Sequence, residues 1–149
     1  MLANNKWFNL FDNMKCDKKR SLCGVSSALD IIGDKWSLLI IRDIMFDNKH
    51  TYGDFLNSEE KIATNILADR LLLLEKVGIL SKTEHPESKA KFFYNLTPKG
   101  LDLMPVLFEM MLWSEKHLEV SERVHLAAKA IKADKDGLLE KFRKKHDTK

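Results

Sequence analysis

The chain has almost no cysteine: Cys16 and Cys23 are its two thiols in 149 residues. That is too few for a disulfide scaffold, and the pair has neither the spacing nor the partners of a zinc site, so both are expected to be free thiols in a reducing compartment. Long apolar runs are missing too. Runs such as residues 36–41 and 71–74 fall far short of the ~20 residues that span a bilayer, and the N-terminus lacks the apolar core of a signal peptide. A cytoplasmic protein with no membrane partner is expected. A dominant charge of one sign is also absent, since 25 basic against 22 acidic side chains leave +3. Net charge therefore does not announce a nucleic-acid partner, and any such case must rest on where the charges sit. The five histidines, His50, His85, His117, His125 and His146, are scattered, with no Ser/His/Asp set, Gly-rich phosphate loop or metal-ligand spacing. No enzyme, cofactor or metal is expected, and no internal repeat or low-complexity segment is seen.

What is present is helical periodicity around one two-strand segment. The length and 44% hydrophobic content suit one compact domain with helical extensions. Residues 1–22 carry Trp7, Phe8, Phe11 and Met14, spaced to line one face of a short helix that would need a surface to cover. The basic stretch from Lys15 to Arg20 reads as a solvated connector. Ala28, Leu29 and Ile32 describe a short helix stopping at Gly33, a natural C′ residue. Asp34 is placed to cap the next helix, which carries Trp36, Leu39, Ile40 and Asp43 to Met45 before a turn at 47–50. Thr51 and Asp54 form an Asp variant of the capping box ahead of Phe55 and Leu56.

A long helix is predicted from about Ala63 to Gly78, so the order becomes helix, short helix, turn, long helix. Residues 79–84 and 91–96 are rich in β-formers, with a hairpin tip at 85–90. A helix followed at once by a hairpin is how a winged helix-turn-helix presents one element to the DNA major groove and another to the flanking backbone. Thr97 caps a further helix with Pro98 in its first position, and Pro105 should kink or restart it. Beyond it, Val106, Leu107, Met110, Met111, Trp113 and Leu118 make a broad apolar face that calls for a partner. Val124, Ala127, Ala128 and Ile131 repeat the pattern until Asp136 and Gly137 interrupt it; Leu138, Leu139 and Phe142 then precede a basic, frayed tail.

With Leu67 at the centre of the buried face of the long helix, Leu71 and Leu74 fall beside it. Asn65, Asp69 and Leu72 fall opposite, flanked by Ala68. Asn65 can pair with adenine N7 and N6, Thr64 can reach a base or phosphate, Ala68 can touch a thymine methyl, and Asp69 can accept from cytosine N4 if Arg70 or a base amine balances its charge. From Glu59 to Lys76 the acids Glu59, Glu60, Asp69 and Glu75 outnumber Lys61, Arg70 and Lys76. Phosphate attraction must come from elsewhere: Lys35, Lys49 and His50, and Lys82, Lys89 and Lys91 in the wing.

These residues resemble the HxlR-type winged helix regulators, a branch close to MarR proteins. The likeness runs from Cys23 to His117 and is carried by the stretch from Ala28 to Asp43, by Tyr52-Gly53-Asp54-Phe55, by Leu67-Ala68-Asp69-Arg70-Leu71 with Leu74-Glu75, and by Tyr94-Asn95-Leu96-Thr97-Pro98-Lys99-Gly100 with Pro105-Val106-Leu107 and Trp113. Ala63 stands where the family commonly has a capping serine, Phe93 where an acidic residue is frequent, and Leu72 and Leu73 where polar residues are usual. The resemblance implies a homodimeric transcription factor on a palindromic site in double-stranded DNA, with N- and C-terminal helices forming the dimer interface. Trp7, Phe8, Phe11, Leu107, Met110, Met111 and Trp113 are the interface candidates. The expected division is an arm at 1–22, a DNA-binding part at 23–104 and dimerisation helices with a tail at 105–149.

Cys23 matches the position of a cysteine that some family members use to sense oxidants or electrophiles. Lys18, Lys19 and Arg20 nearby and a helix start just after it would favour a thiolate. The preferred alternative is a small buried residue at the dimer interface, since free cysteine is among the most buried residue types. A redox or small-molecule effector is thus left open. So is a second function, a winged helix serving only as a protein-interaction scaffold; it would show no salt-dependent duplex binding.

Overall fold

The computed structural model describes residues 21–85 and 87–147. In chain order they form α1 (Gly24–Ile32), α2 (Ser37–Asp47), α3 (Tyr52–Leu56), α4 (Thr64–Lys76), β1 (Leu80–His85), β2 (Ser88–Leu96), α5 (Pro98–Leu101), α6 (Met104–His117), α7 (Glu122–Ala133) and α8 (Lys135–Asp147). The architecture is mainly helical with one antiparallel hairpin, a winged helix-turn-helix as expected. The aromatic arm residues Trp7, Phe8 and Phe11 lie outside the described residues. The chain divides between Gly33 and Asp34, α1 belonging to the first unit and every later element to the second.

Gly33 does end α1, as its C-cap, but its φ of −79° is right-handed, so no left-handed turn requires the glycine. Space explains the glycine instead, because a Cβ there would run into the Leu29 carbonyl oxygen that accepts the Gly33 N–H. The left-handed glycine is Gly78 (φ +74°), which turns the chain out of α4 toward the hairpin. Asp34 caps α2: its Oδ1 accepts the N–H groups of Trp36 (2.8 Å) and Ser37 (3.0 Å). The capping box of α3 is complete, with Thr51 Oγ1 accepting from the Asp54 amide and the Asp54 carboxylate accepting from the Thr51 amide.

The core of the second unit is built from Ile41, Ile44 and Met45 of α2, Phe55 of α3, Leu67 and Leu74 of α4, and Met104 and Phe108 of α6, all at most 2% exposed. Each large apolar side chain so buried contributes about 1.5–3 kcal/mol relative to exposure. The hairpin pairs Leu80 with Leu96, Lys82 with Tyr94 and Glu84 with Phe92, and an irregularity after Glu84 brings His85 opposite Ser88. Its tip is therefore shorter than the one expected at 85–90: residues 88–90 belong to β2, because His85 can still pair across the irregularity. Tyr94 also donates its N–H to the His50 carbonyl (2.8 Å), tying the turn before α3 to the wing.

Thr97 caps α5 through the Gly100 amide, and after two turn residues the chain restarts as α6 with Pro105 in its first turn. The interruption expected at Asp136 and Gly137 falls two residues earlier. Asp134 ends α7 and its carboxylate accepts the Gly137 N–H (2.9 Å), in a space that a Cβ on Gly137 would occupy. Nor is the segment after Phe142 a frayed tail as far as Asp147. The Phe142 ring packs edge-on against Phe46 (5.2 Å) and Phe108 (6.4 Å), and Arg143 pairs with Asp102 (2.8 Å), so tertiary contacts hold α8 helical. No helix among the described residues is long and apolar enough to cross a membrane, and no cluster of metal-ligating side chains occurs among them.

Candidate nucleic-acid interface

The long helix α4 is held from behind. Leu67, Leu71 and Leu74 are at most 3% exposed, one buried stripe at helical spacing. Thr64, Asn65, Ala68, Asp69 and Leu72 lie on the exposed side, so the facing read from periodicity agrees with the structure. Ala63, the N-cap, makes no side-chain cap. The start of the helix is fixed from outside it, by the Tyr52 hydroxyl of α3 donating to the Thr64 carbonyl (2.8 Å). Periodicity had no means of finding this contact, which joins two elements of the helix-turn-helix.

Arg70 is not on the outer face. It turns inward, with Nη1 3.3 Å from Asp34 Oδ2. Burial alone would raise the Asp34 carboxyl, but hydrogen bonds from the Ser37 hydroxyl and the Trp36 and Ser37 amides, together with the Arg70 charge, outweigh it and hold the group below the usual carboxylate range. The cap of α2 and the helix α4 are joined by one carboxylate.

The acidic excess around α4 is partly neutralised within the fold. Arg42 places Nη1 and Nη2 on the two Glu60 oxygens (2.5 and 3.0 Å), a bidentate pair that lowers the Glu60 carboxyl to about 2. Arg42 also meets Asp43, which is 2% exposed and accepts from Ser58 and Lys49 as well. Lys49, anticipated as a phosphate ligand, is therefore engaged internally, 3.3 Å from Asp43 and 2.8 Å from Ser58 Oγ. His50 is 2% exposed, its ring stacked on Phe93 (4.5 Å) with Nδ1 2.8 Å from the Tyr94 carbonyl.

Of the other anticipated cations, Lys35 is exposed beside its neighbour's indole, Nζ 4.9 Å from the Trp36 ring centroid. Lys91 is exposed on β2, and Lys89 belongs to the same strand. The exposed set is thus the outer face of α4, Lys35 and the wing. On α6, Met110 and Trp113 are about half exposed, Met111 is intermediate and Leu107 is buried within the chain. Cys23 is the exposed N-cap of α1, and hydrogen bonds from the Ser26 and Val25 amides lower its thiol pKa.

Residues 31–122 match the model of the HxlR-like helix-turn-helix family. The chain belongs to this family. It is 32% identical over 108 residues to the uncharacterized HTH-type transcriptional regulator YdeP of Bacillus subtilis (strain 168), covering 72% of this chain and 84% of YdeP. Solved structures extend the likeness. A MarR-family protein of Porphyromonas gingivalis W83 shares 28% identity at a TM-score of 0.58, over 66% of this chain and 95% of that one. The redox regulator HypR in its oxidized form shares 30% identity at a TM-score of 0.58, over 66% of this chain and all of HypR. This HxlR-like chain is a transcriptional regulator of helix-turn-helix type, in a family of regulators and not of enzymes. Helix α8 and nearly all of α7 lie beyond the matched residues.

Proposed function

We propose that the chain binds double-stranded DNA as a homodimer in the cytoplasm, each subunit setting α4 into the major groove of one half of a palindromic operator while the wing meets the flanking backbone. The observation that carries this reading is the outer face of α4, where Thr64, Asn65, Ala68 and Asp69 stand exposed on a helix packed through Leu67, Leu71 and Leu74. Asn65 suits adenine N6 and N7, Ala68 a thymine methyl, Asp69 a cytosine amine, and Thr64 a base or phosphate near the helix start. Lys35, Lys89 and Lys91 supply counterion release. Lys49 and Arg70 act from within by fixing α2 and α4, and His50 by tying the turn to the wing.

On this reading residues 23–104 do the DNA reading, and the segments 1–22 and 105–149 supply dimer contacts, with Met110, Met111 and Trp113 over a buried Leu107 on α6 and with Trp7, Phe8 and Phe11 in the arm. Cys23 is the group through which an oxidant, an electrophile or another small effector would act. Its exposed N-cap position and the likeness to a redox regulator support that role.

The test is binding to a labelled duplex across a salt series, followed by Asn65→Ala against operator variants. Log affinity should fall linearly with log salt, and Asn65→Ala should lose about 1–3 kcal/mol of discrimination at one base pair per half-site while folding normally. Duplex binding absent at low salt would favour the scaffold reading, and unchanged preference in Asn65→Ala would refute the assigned facing of α4.

A further inference from the structure

Resting on the DNA-binding reading, the register of the hairpin puts one cation in a distinctive place. Lys82 and Tyr94 are paired across the strands, as are Glu84 and Phe92, so the alternation of the pleat sets Lys82, Glu84, Phe92 and Tyr94 on one face. That face looks toward α4: Lys82 and Tyr94 line a cleft of about 200 Å³ together with Tyr52 of α3 and Ala68, Leu71, Leu72 and Glu75 of α4. The Lys82 ammonium sits 3.9 Å from the Phe92 ring centroid and 6.0 Å from that of Tyr94. Arg42, Lys49, Arg70, Lys132, Lys135 and Arg143 all pair with carboxylates. Lys82 pairs with none among the described residues; its partners are ring faces.

The distinction matters physically. A carboxylate partner cancels a lysine's charge, whereas an aromatic face orients the ammonium by its quadrupole and leaves the full charge and the N–H donors for an external anion. A free lysine also loses considerable rotamer freedom when it is fixed on a phosphate, and a side chain already held on a ring loses less. Phe92 is 43% exposed, and its ring carries the Lys82 ammonium.

We propose that Lys82, oriented by Phe92 and Tyr94, contacts a backbone phosphate in the cleft between α4 and the wing, and that Phe92 is the positioning residue of this contact. Because a phosphate contact is independent of sequence, the test uses a fluorescently labelled duplex of mixed sequence, titrated over a salt series with Lys82→Met, Lys82→Arg, Phe92→Leu and the Lys82→Met/Phe92→Leu double variant, each checked for folding by circular dichroism. Lys82→Met should lower the salt slope by about one, and Lys82→Arg should restore it. Phe92→Leu should weaken binding about 2- to 5-fold, the scale of an exposed cation–π contact, but should have no further effect once Lys82 is Met. A purely structural role for Phe92 would give the same loss in both backgrounds and would overturn the positioning claim. Wild-type binding with a slope unchanged in Lys82→Met overturns the phosphate contact alone, whereas wild-type protein that fails to bind the duplex at low salt overturns the DNA-binding reading and this inference with it.

Discussion

Removing the carboxylate of Asp43 should destabilise the protein more than any surface charge. Asp43 is 2% exposed. It accepts from Arg42 Nε (2.9 Å) and Nη2 (2.6 Å), from Lys49 Nζ (3.3 Å) and from the Ser58 hydroxyl, thereby joining α2, the turn before α3 and the turn after it. In Asp43→Ala two cations with side chains only 29% and 27% exposed lose their shared partner. Removing one member of a buried ion pair costs about 3–5 kcal/mol, mostly through the charge left uncompensated. Arg42 keeps Glu60 and Lys49 keeps Ser58, so the lower end, about 3 kcal/mol, applies here. For a chain of this size 1 kcal/mol shifts Tm by roughly 2–4 °C, giving a fall of about 6–12 °C. Thermal and urea melts followed by circular dichroism measure it, with Glu59→Ala, an exposed turn residue, as the control. A loss below about 1 kcal/mol, the level of an exposed pair, would show that water reaches the site and that the network does not set the helix-turn-helix geometry.

The other expectations are briefer. Trp113→Asp should shift the proposed dimer toward monomer in light scattering at micromolar protein, since a carboxylate would be buried in the seam; a wild-type monomer would refute the interface itself. Glu60 has a folded pKa of about 2 against an ordinary 4.5, so its pairing with Arg42 contributes stability that is fully present above the unfolded value and lost as pH falls from there through about 2. With the Glu60 side chain 35% exposed, solvent screening limits that contribution to about 1 kcal/mol or less; Glu60→Gln should flatten the acid limb of Tm against pH, and an identical limb would refute the linkage. Cys23 should react with a mild electrophile at neutral pH faster than Cys16, as mass spectrometry can follow. Cys23→Ser should bind DNA normally but not respond to the oxidant, and unchanged affinity of fully modified wild-type protein would remove the sensing role.

Much of the fold was legible because its signals are local. The stripe of Leu67, Leu71 and Leu74 needs only the helical period to be read, and it alone orients Asn65 and Asp69 outward. Asp34, the Thr51 and Asp54 capping box, and Thr97 before Pro98 act on amides within three residues of themselves, so their chemistry is written in adjacent letters. Tertiary structure decided what depends on distant partners. Lys49 and Arg70 read as surface cations, yet each meets a carboxylate that the chain brings in from another segment. His50 became an interior group because Phe93 and Tyr94 lie beside it, and α8 stayed helical because Phe142 found Phe46 and Phe108. The pairing of Lys82 with Tyr94 and its approach to Phe92 depend on the hairpin register, which a misplaced tip would alter. Periodicity and capping determine which elements form and which way they face; which charges remain available to a partner is settled only when packing brings remote side chains within hydrogen-bonding distance.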